Sequence, residues 1–332
     1  MAIFETSQAP LLKVEKLSKS FCVARDFFGR TKKSLRAVHN VSFDIKAGEC
    51  LSIVGESGCG KSTTARLIMN LIQPDSGAVI FLDENLLTLK ASELREKRKN
   101  FQMVFQNPFS SLDPRYTVFD SIKEPLELHN FASPEKIKAR VYELLELVDL
   151  PAELACKYPH ECSGGQNQRV SIARAIALNP KLLVCDEALS ALDVSVQANV
   201  LKLLKKLQKE LDISFLFIAH DLAVVKKISD RVAVMYLGEI VELAETQELF
   251  ANPKHPYTKA LIASAPIADP KQRDRERFFL QGEIPKATEI PQGCPFKTRC
   301  PEKIDKCESC IPQNVELDAS LPHQVMCHLY EP

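Results

Sequence analysis

The sequence predicts an α/β fold, with strands of a parallel sheet buried between helices, on three observations. An apolar run, Leu51–Val54, meets a glycine-rich turn, Gly55–Thr63, and a helical pattern over 65–72. Two further strand-sized runs, Lys181–Cys185 and Ile213–Ala219, are apolar but for Lys181 and Ser214 and end in Asp186-Glu187 and His220-Asp221. Such runs fit strands covered on both faces. Between them lie segments with apolar residues at helical spacing, such as Ile137, Val141, Leu144, Leu145 and Val148.

In chain order, Leu11–Phe21 alternates apolar and polar residues, as an edge strand does. Residues 23–36, with Arg25, Arg30, Lys32, Lys33 and Arg36, read as a solvated loop. Val41–Ile45 resumes the alternation and leads through Gly48 to the strand before the glycine turn. Pro74–Gly77 is a turn, Ala78–Leu82 a strand, and Phe101–Phe105 a short buried strand ending at Gln106. Ser133 as N-cap and Pro134 at the first helical position open a helix that Leu150-Pro151 closes. A second helix runs over 165–177 to Asn179-Pro180. A long helix after Asp193 carries Val196, Val200, Leu203, Leu204, Leu207 and Leu211 on its apolar face. Strands Arg231–Tyr236 and Glu239–Leu243 form a hairpin about Gly238.

The chemistry gathers at the ends of these elements. In Gly55-Glu56-Ser57-Gly58-Cys59-Gly60-Lys61-Ser62-Thr63 the glycines let backbone N–H groups turn around phosphate oxygens. The helix start adds its unpaired N–H groups and positive dipole end. Lys61 is placed to reach β- and γ-phosphates and the Ser62 hydroxyl to ligate Mg²⁺. Asp186 is placed to hold Mg²⁺ directly or through water, and Glu187 to orient or deprotonate an attacking water. The competing role for that pair is to cap the next helix. Gln106 turns its amide toward a metal or water, or simply hydrogen-bonds a strand end. Cys162-Ser163-Gly164-Gly165-Gln166 is a second anion-binding helix start or a plain loop. His220 touches a γ-phosphate or is structural. Phe21 stacks on a base or faces the core.

Lys plus Arg and Asp plus Glu are both 43, so no overall basic excess points to nucleic acid. No run approaches the ~18 apolar residues that span a bilayer. Met1–Thr6 lacks a signal-peptide pattern, so the expected location is cytosolic, with any membrane role supplied by partners. Six of the 11 cysteines, Cys22, Cys50, Cys59, Cys156, Cys162 and Cys185, are scattered and read as small, mostly buried, free thiols. After Pro266 the composition shifts to Pro, Lys, Glu and Cys, too poor in apolar residues for a large core. Cys294, Cys300, Cys307 and Cys327 are candidate ligands of one stabilising centre, with Cys310 as an alternative. All-thiolate ligation suits a [4Fe–4S] cluster or structural Zn²⁺; His323 and His328 leave a mixed Cys/His zinc site open.

These motifs, in this order, resemble the nucleotide-binding subunit of an ABC transporter over roughly residues 11–264. Gly55–Thr63 resembles Walker A, Cys185–Glu187 the end of Walker B, and Gln106 the Q-loop. Cys162–Gln166 resembles the ABC signature, Ser190–Asp193 the D-loop, His220 the switch histidine and Phe21 the adenine-stacking aromatic. Cys162, Asn167 and Ala188-Leu189 depart from the usual residues without removing a reacting group. Pro253–Leu261, Gly282–Pro285 and Gly293–Pro301 resemble the C-terminal region of oligopeptide/dipeptide importer ATPases, an extension that nickel importers share.

The resemblance implies a P-loop NTPase of ABC type. Its parts are a RecA-like core with a mixed sheet, an antiparallel β subdomain, a helical signature subdomain at about 108–179, and a Cys-rich extension at 265–332 after a 1–264 ATPase domain. It implies ATP and Mg²⁺ as ligands and favours the cluster over zinc. ATP sits on Lys61 and Ser62 of one subunit beneath Ser163-Gly164-Gly165 of a second, with Gln166 and Asp193 beside it. The implied partners are a paralogous ATPase, two transmembrane permeases and a solute-binding protein, at the cytoplasmic face of the inner membrane, with no nucleic acid. The rival readings are a nucleic-acid ABC ATPase, which usually carries tandem cassettes or coiled-coil insertions, and a non-hydrolysing regulatory subunit.

Overall fold

The computed structural model describes residues 9–25, 31–190, 192–264, 282–283, 285–317 and 322–331. Met1–Thr6, Arg30, Ala191, Pro266 and Ile284 lie outside the described residues. The fold comprises two compact units. One contains residues up to Lys13, Asp44–Cys50 and Ile80–Ile218; the other contains Val14–Phe43, Leu51–Val79 and the chain from Ala219.

The first unit is built on three parallel strands, Phe101–Val104, Leu182–Asp186 and Ser214–Ile218, with Phe101 opposite Leu182 and Leu182 opposite Ser214. Leu182–Asp186 and Ser214–Ile218 are buried at every position, as their largely apolar runs require. Ile80-Phe81 and Glu84-Asn85 form a short antiparallel hairpin. The helix Pro134–Leu147 buries Ile137, Val141, Leu144 and Leu145, the predicted stripe. Ser133 holds its N-cap position, but its hydroxyl makes no capping bond. The long helix Val194–Leu211 buries Val200, Leu203, Leu204 and Leu207, while Val196 and Leu211 lie at the margin of the face.

The second unit holds a mixed sheet. Leu51–Val54 runs parallel to Arg231–Val234. Arg231–Tyr236 pairs antiparallel with Glu239–Glu245 around Leu237-Gly238, both at positive φ, the conformation a tight hairpin needs. The extension then adds two short strands. Gln324–Met326 pairs with Glu239–Glu245, and Asn314–Glu316 pairs with Gln324–Met326. Strands Leu12–Arg25 and Thr31–Ile45 also belong largely to this unit. The loop expected over 23–36 is therefore strand at 23–25 and again from Thr31. The run of charges reads as a loop, yet the backbone belongs to a sheet and Lys33 and Arg36 pair with Glu289 and Glu239.

Candidate nucleotide site

In the second unit the glycine turn leaves the buried strand Cys50–Val54 and enters the helix Lys61–Ile68, which starts four residues before the expected 65. Lys61, Ser62 and Thr63 are thus its first turn, and no side chain caps this end. Glycine is required at two places. Gly60 has φ 110°, and a Cβ there would lie 2.2 Å from the Ala37 carbonyl oxygen. A Cβ on Gly55 would lie 2.2 Å from the Met235 carbonyl oxygen. Lys61 is 4% exposed, and its Nζ donates to the carbonyls of Gly55 at 2.8 Å and Glu56 at 3.1 Å. Cys59 is buried, which pushes its thiol pKa up. Phe21 lies on Leu12–Arg25 and is 36% exposed, with Lys19 Nζ 5.7 Å from its ring centre, so the core-facing alternative does not hold. His220 is exposed just before the helix Leu222–Ile228, whose N-cap is Asp221.

In the first unit the structure joins two predicted residues directly. Gln106 Nε2 donates to Glu187 Oε2 at 2.7 Å across 81 positions of sequence. Glu187 follows the buried strand end at Asp186, which is 4% exposed. Its φ is 47°, a conformation non-glycine residues seldom adopt and one that gathers at functional sites. The Glu187 N–H donates to Ile218 O at 3.0 Å, and its carbonyl accepts from Ser190 N–H and Ser190 Oγ. These bonds hold the strained turn from both sides.

Ser163-Gly164-Gly165-Gln166 is also locally fixed. Ser163 Oγ accepts from Gln166 N–H at 3.3 Å and Gln166 Oε1 accepts from Ser163 N–H at 2.8 Å, a reciprocal capping box for the helix Gly164–Ile176. A Cβ on Gly165 would stand 2.6 Å from Val196 Cγ1. Asn167 is fully buried and its Nδ2 donates to Pro159 O at 2.8 Å, anchoring the preceding loop. Sequence reasoning missed that role; a polar residue two places into an otherwise glycine-led helix start was the only available signal. Asp193 is exposed at the N-cap position of Val194–Leu211, and its carbonyl rather than its side chain accepts there.

A model of the ABC transporter family matches residues 38–190, and a model of the oligopeptide/dipeptide transporter C-terminal region matches 241–307. The putative oligopeptide transport ATP-binding protein YkfD of Bacillus subtilis is 49% identical over 97% of this chain and 96% of its own length. The oligopeptide transport ATP-binding protein OppF of Salmonella typhimurium is 47% identical over 97% of each chain. This chain belongs to the ABC transporter ATP-binding subunits. Among solved structures, the ATP-binding cassette MJ0796 in a dimeric post-hydrolysis state with ADP and Pi shares the fold at TM-score 0.64 and 31% identity, over 71% of this chain and 98% of that one. The ABC subunit binds and hydrolyses ATP, and the α/β, ABC-type fold expected from its sequence is the fold it has. Among the described residues, no helix is long and apolar enough to cross a membrane.

The thiols of this ABC subunit divide by location. Cys50, Cys59, Cys162 and Cys185 are buried, as expected, while Cys22 and Cys156 are exposed. In the extension, Cys294, Cys307 and Cys327 are buried, Cys300 is half-buried and Cys310 is exposed. Burial pushes the Cys294 thiol up to about 12, and Cys307, Cys327 and Cys300 push it further in the same direction. Burial likewise raises Cys327 to about 11, with Cys300 and Cys307 adding to the rise. These four thiols therefore share one electrostatic neighbourhood. Among the described residues, however, no three His, Cys, Asp or Glu side chains are grouped so as to hold a metal ion. The two candidate histidines have other partners. His323 Nε2 is 2.7 Å from the buried Glu242, and His328 bridges Glu331 and the Cys310 carbonyl.

Proposed function

We propose that this subunit powers uptake of oligopeptides and dipeptides. It works at the cytoplasmic face of the cell membrane with a second ABC ATPase, two permeases and a solute-binding protein. Similarity to oligopeptide transport ATP-binding proteins along 97% of the chain carries this reading, and the oligopeptide/dipeptide-type region at 241–307 supports it. In this reading the ATPase domain ends near 264, with its helical subdomain over about 108–179, and the Cys-rich region follows.

The residue roles are those that the family resemblance suggests, and the local geometry supports several of them. The exposed Phe21 ring takes the adenine. Backbone groups of Gly55, Glu56, Ser57, Gly58, Cys59, Gly60 and Thr63 wrap the phosphates. Lys61 exchanges its bonds to two neutral carbonyls for bonds to charged phosphate oxygens, which are roughly twice as strong. Gln106 holds the Glu187 carboxylate, and Glu187 aligns the attacking water. His220 contacts the γ-phosphate. Ser163, Gly164 and Gly165 of a second subunit close over that phosphate, kept in shape by Gln166, with Asp193 at the subunit junction. Ser62, Asp186 and Gln106 are the residues that would hold Mg²⁺, a hard cation suited to oxygen donors, which would neutralise charge developing on the phosphates.

We assign Cys294, Cys300, Cys307 and Cys327 to an iron–sulfur cluster, with exposed Cys310 outside the set. Zinc at about 2.3 Å from each sulfur would need the thiols drawn close around one ion. What supports the cluster reading is the all-thiolate chemistry of the set, which suits iron–sulfur ligation; among the described residues, the thiols as they stand are not gathered around a metal position. Such a centre supplies a cross-link and a redox-active group to a region with a small core.

The test uses the assembled transporter in vesicles. ATP-dependent uptake of a labelled dipeptide is expected, and Glu187→Gln should keep ATP bound while lowering turnover by about 10²–10⁴-fold. Uptake of Ni²⁺ with no peptide uptake would overturn the substrate assignment. A brown chromophore bleached by dithionite is expected for the cluster, and a colourless protein with stoichiometric zinc refutes it.

A further inference from the structure

Glu56, the second residue of the glycine turn, is held at every polar group. Its N–H donates to Tyr257 Oη at 2.9 Å. Its carbonyl accepts from Lys61 Nζ at 3.1 Å and from Cys59 N–H at 3.3 Å. Its carboxylate receives Arg299 as a two-pronged fork, Nη1 to Oε2 at 2.7 Å and Nη2 to Oε1 at 2.9 Å. Arg299 comes from the Cys-rich extension, 243 positions away, immediately before Cys300.

The arginine is itself fixed. Its side chain is 5% exposed and that of Glu56 26%, so water screens the pair far less than a surface pair. The guanidinium lies 6.0 Å from the Tyr236 ring centre. Tyr236, Tyr257 and Phe296 pack with centroids 4.8, 5.2 and 5.5 Å apart, so the residue that binds the Glu56 N–H and the ring beneath Arg299 belong to one aromatic cluster. A bidentate fork sets the plane of the carboxylate as well as its distance. Any displacement of Glu56 moves a carbonyl that holds Lys61.

We propose that Arg299 is a positioning residue for the phosphate-binding turn: through Glu56, the Cys-rich extension sets the conformation of Gly55–Thr63 and so its affinity for ATP. The inference rests on reading Gly55–Thr63 as the ATP-binding turn. It makes the extension part of the nucleotide site and not an appendage. Any change of chemistry at Cys300 then acts one residue from the guanidinium that steadies the turn.

The test is equilibrium binding of a fluorescent ATP analogue to the full-length chain, with thermal unfolding measured alongside. Arg299→Gln and Glu56→Gln should each weaken binding about tenfold, and the double variant should be no weaker than either alone, because both remove the same contact. Arg299→Lys, which keeps the charge but loses the fork, should recover part of the affinity. If Arg299→Gln fails to fold, Glu56→Gln carries the test, since its backbone contacts remain. A lowered melting temperature with ATP affinity within twofold of the parent refutes the proposal, leaving the pair a mere staple for the extension. Lys61→Ala separates the underlying reading: loss of binding supports it, and retained binding overturns it and the proposal with it.

Discussion

Gly60→Ala tests the steric logic of the phosphate-binding turn. Two costs add at this position. The backbone has φ 110°, a conformation that costs a residue with a Cβ roughly 1–3 kcal/mol. The new methyl would sit 2.2 Å from the Ala37 carbonyl oxygen and 3.0 Å from Met235 Cε. The methionine end can move; the strand carbonyl of Thr31–Ile45 cannot move without disturbing its ladder. Relieving that overlap costs roughly 1–3 kcal/mol more. The sum, about 2–6 kcal/mol, is a large share of the ~5–15 kcal/mol that holds a domain folded. Gly58 provides the control: it has φ 79° but nothing within 4 Å of an added Cβ, so Gly58→Ala should bear the backbone cost alone. Urea denaturation of both variants, with ATP binding measured in parallel, should rank the parent above Gly58→Ala and Gly58→Ala above Gly60→Ala. A Gly60→Ala midpoint equal to the parent's, with unchanged ATP affinity, would refute the reasoning.

Gly165→Ala in the signature helix should cost roughly 1–3 kcal/mol because its methyl meets Val196 Cγ1 at 2.6 Å, and Val196→Ala should restore most of that loss in a denaturation midpoint. His255 is buried, which lowers its pKa to about 4, and its Nδ1 accepts from Tyr257 N–H at 3.0 Å. A folded value below the ordinary one means the unfolded chain takes up the proton first. The stability present above about pH 6.5 is therefore lost as pH falls towards 4, by up to about 3 kcal/mol, and His255→Gln should flatten that part of a stability–pH curve. An equally steep curve in His255→Gln would assign the acid sensitivity elsewhere.

The elements were largely legible in the sequence because local chemistry decides them. The glycine turn could be read because residues with a Cβ do not fit at Gly55 or Gly60. Leu182–Asp186 and Ser214–Ile218 could be read because burial on both faces leaves little room for polar residues between their ends. What resisted reading was contact at long range. Gln106 and Glu187 were separate candidates, and no spacing rule says that the amide of one meets the carboxylate of the other. Glu56 reads in the sequence only as a backbone member of the phosphate-binding turn, and no local pattern pairs its carboxylate with Arg299. The loop expected over 23–36 failed for the opposite reason: its charges suggested solvent, while the backbone found strand partners that side-chain patterning does not reveal. Asn167 reads in the sequence only as a departure from the usual residue, yet it is a buried tether.

The short strands near the C-terminus have a bearing on solubility. By pairing with Glu242 and Leu243, Val325 and Gln324 occupy a sheet margin that would otherwise present open donors and acceptors to any extended peptide in the cell. His323 at the same place answers the carboxylate of Glu242, which is 1% exposed. Clipping this segment would uncover that border and leave the buried Glu242 carboxylate with only the Lys254 and His255 N–H groups, so proteolysis there would favour edge-to-edge aggregation.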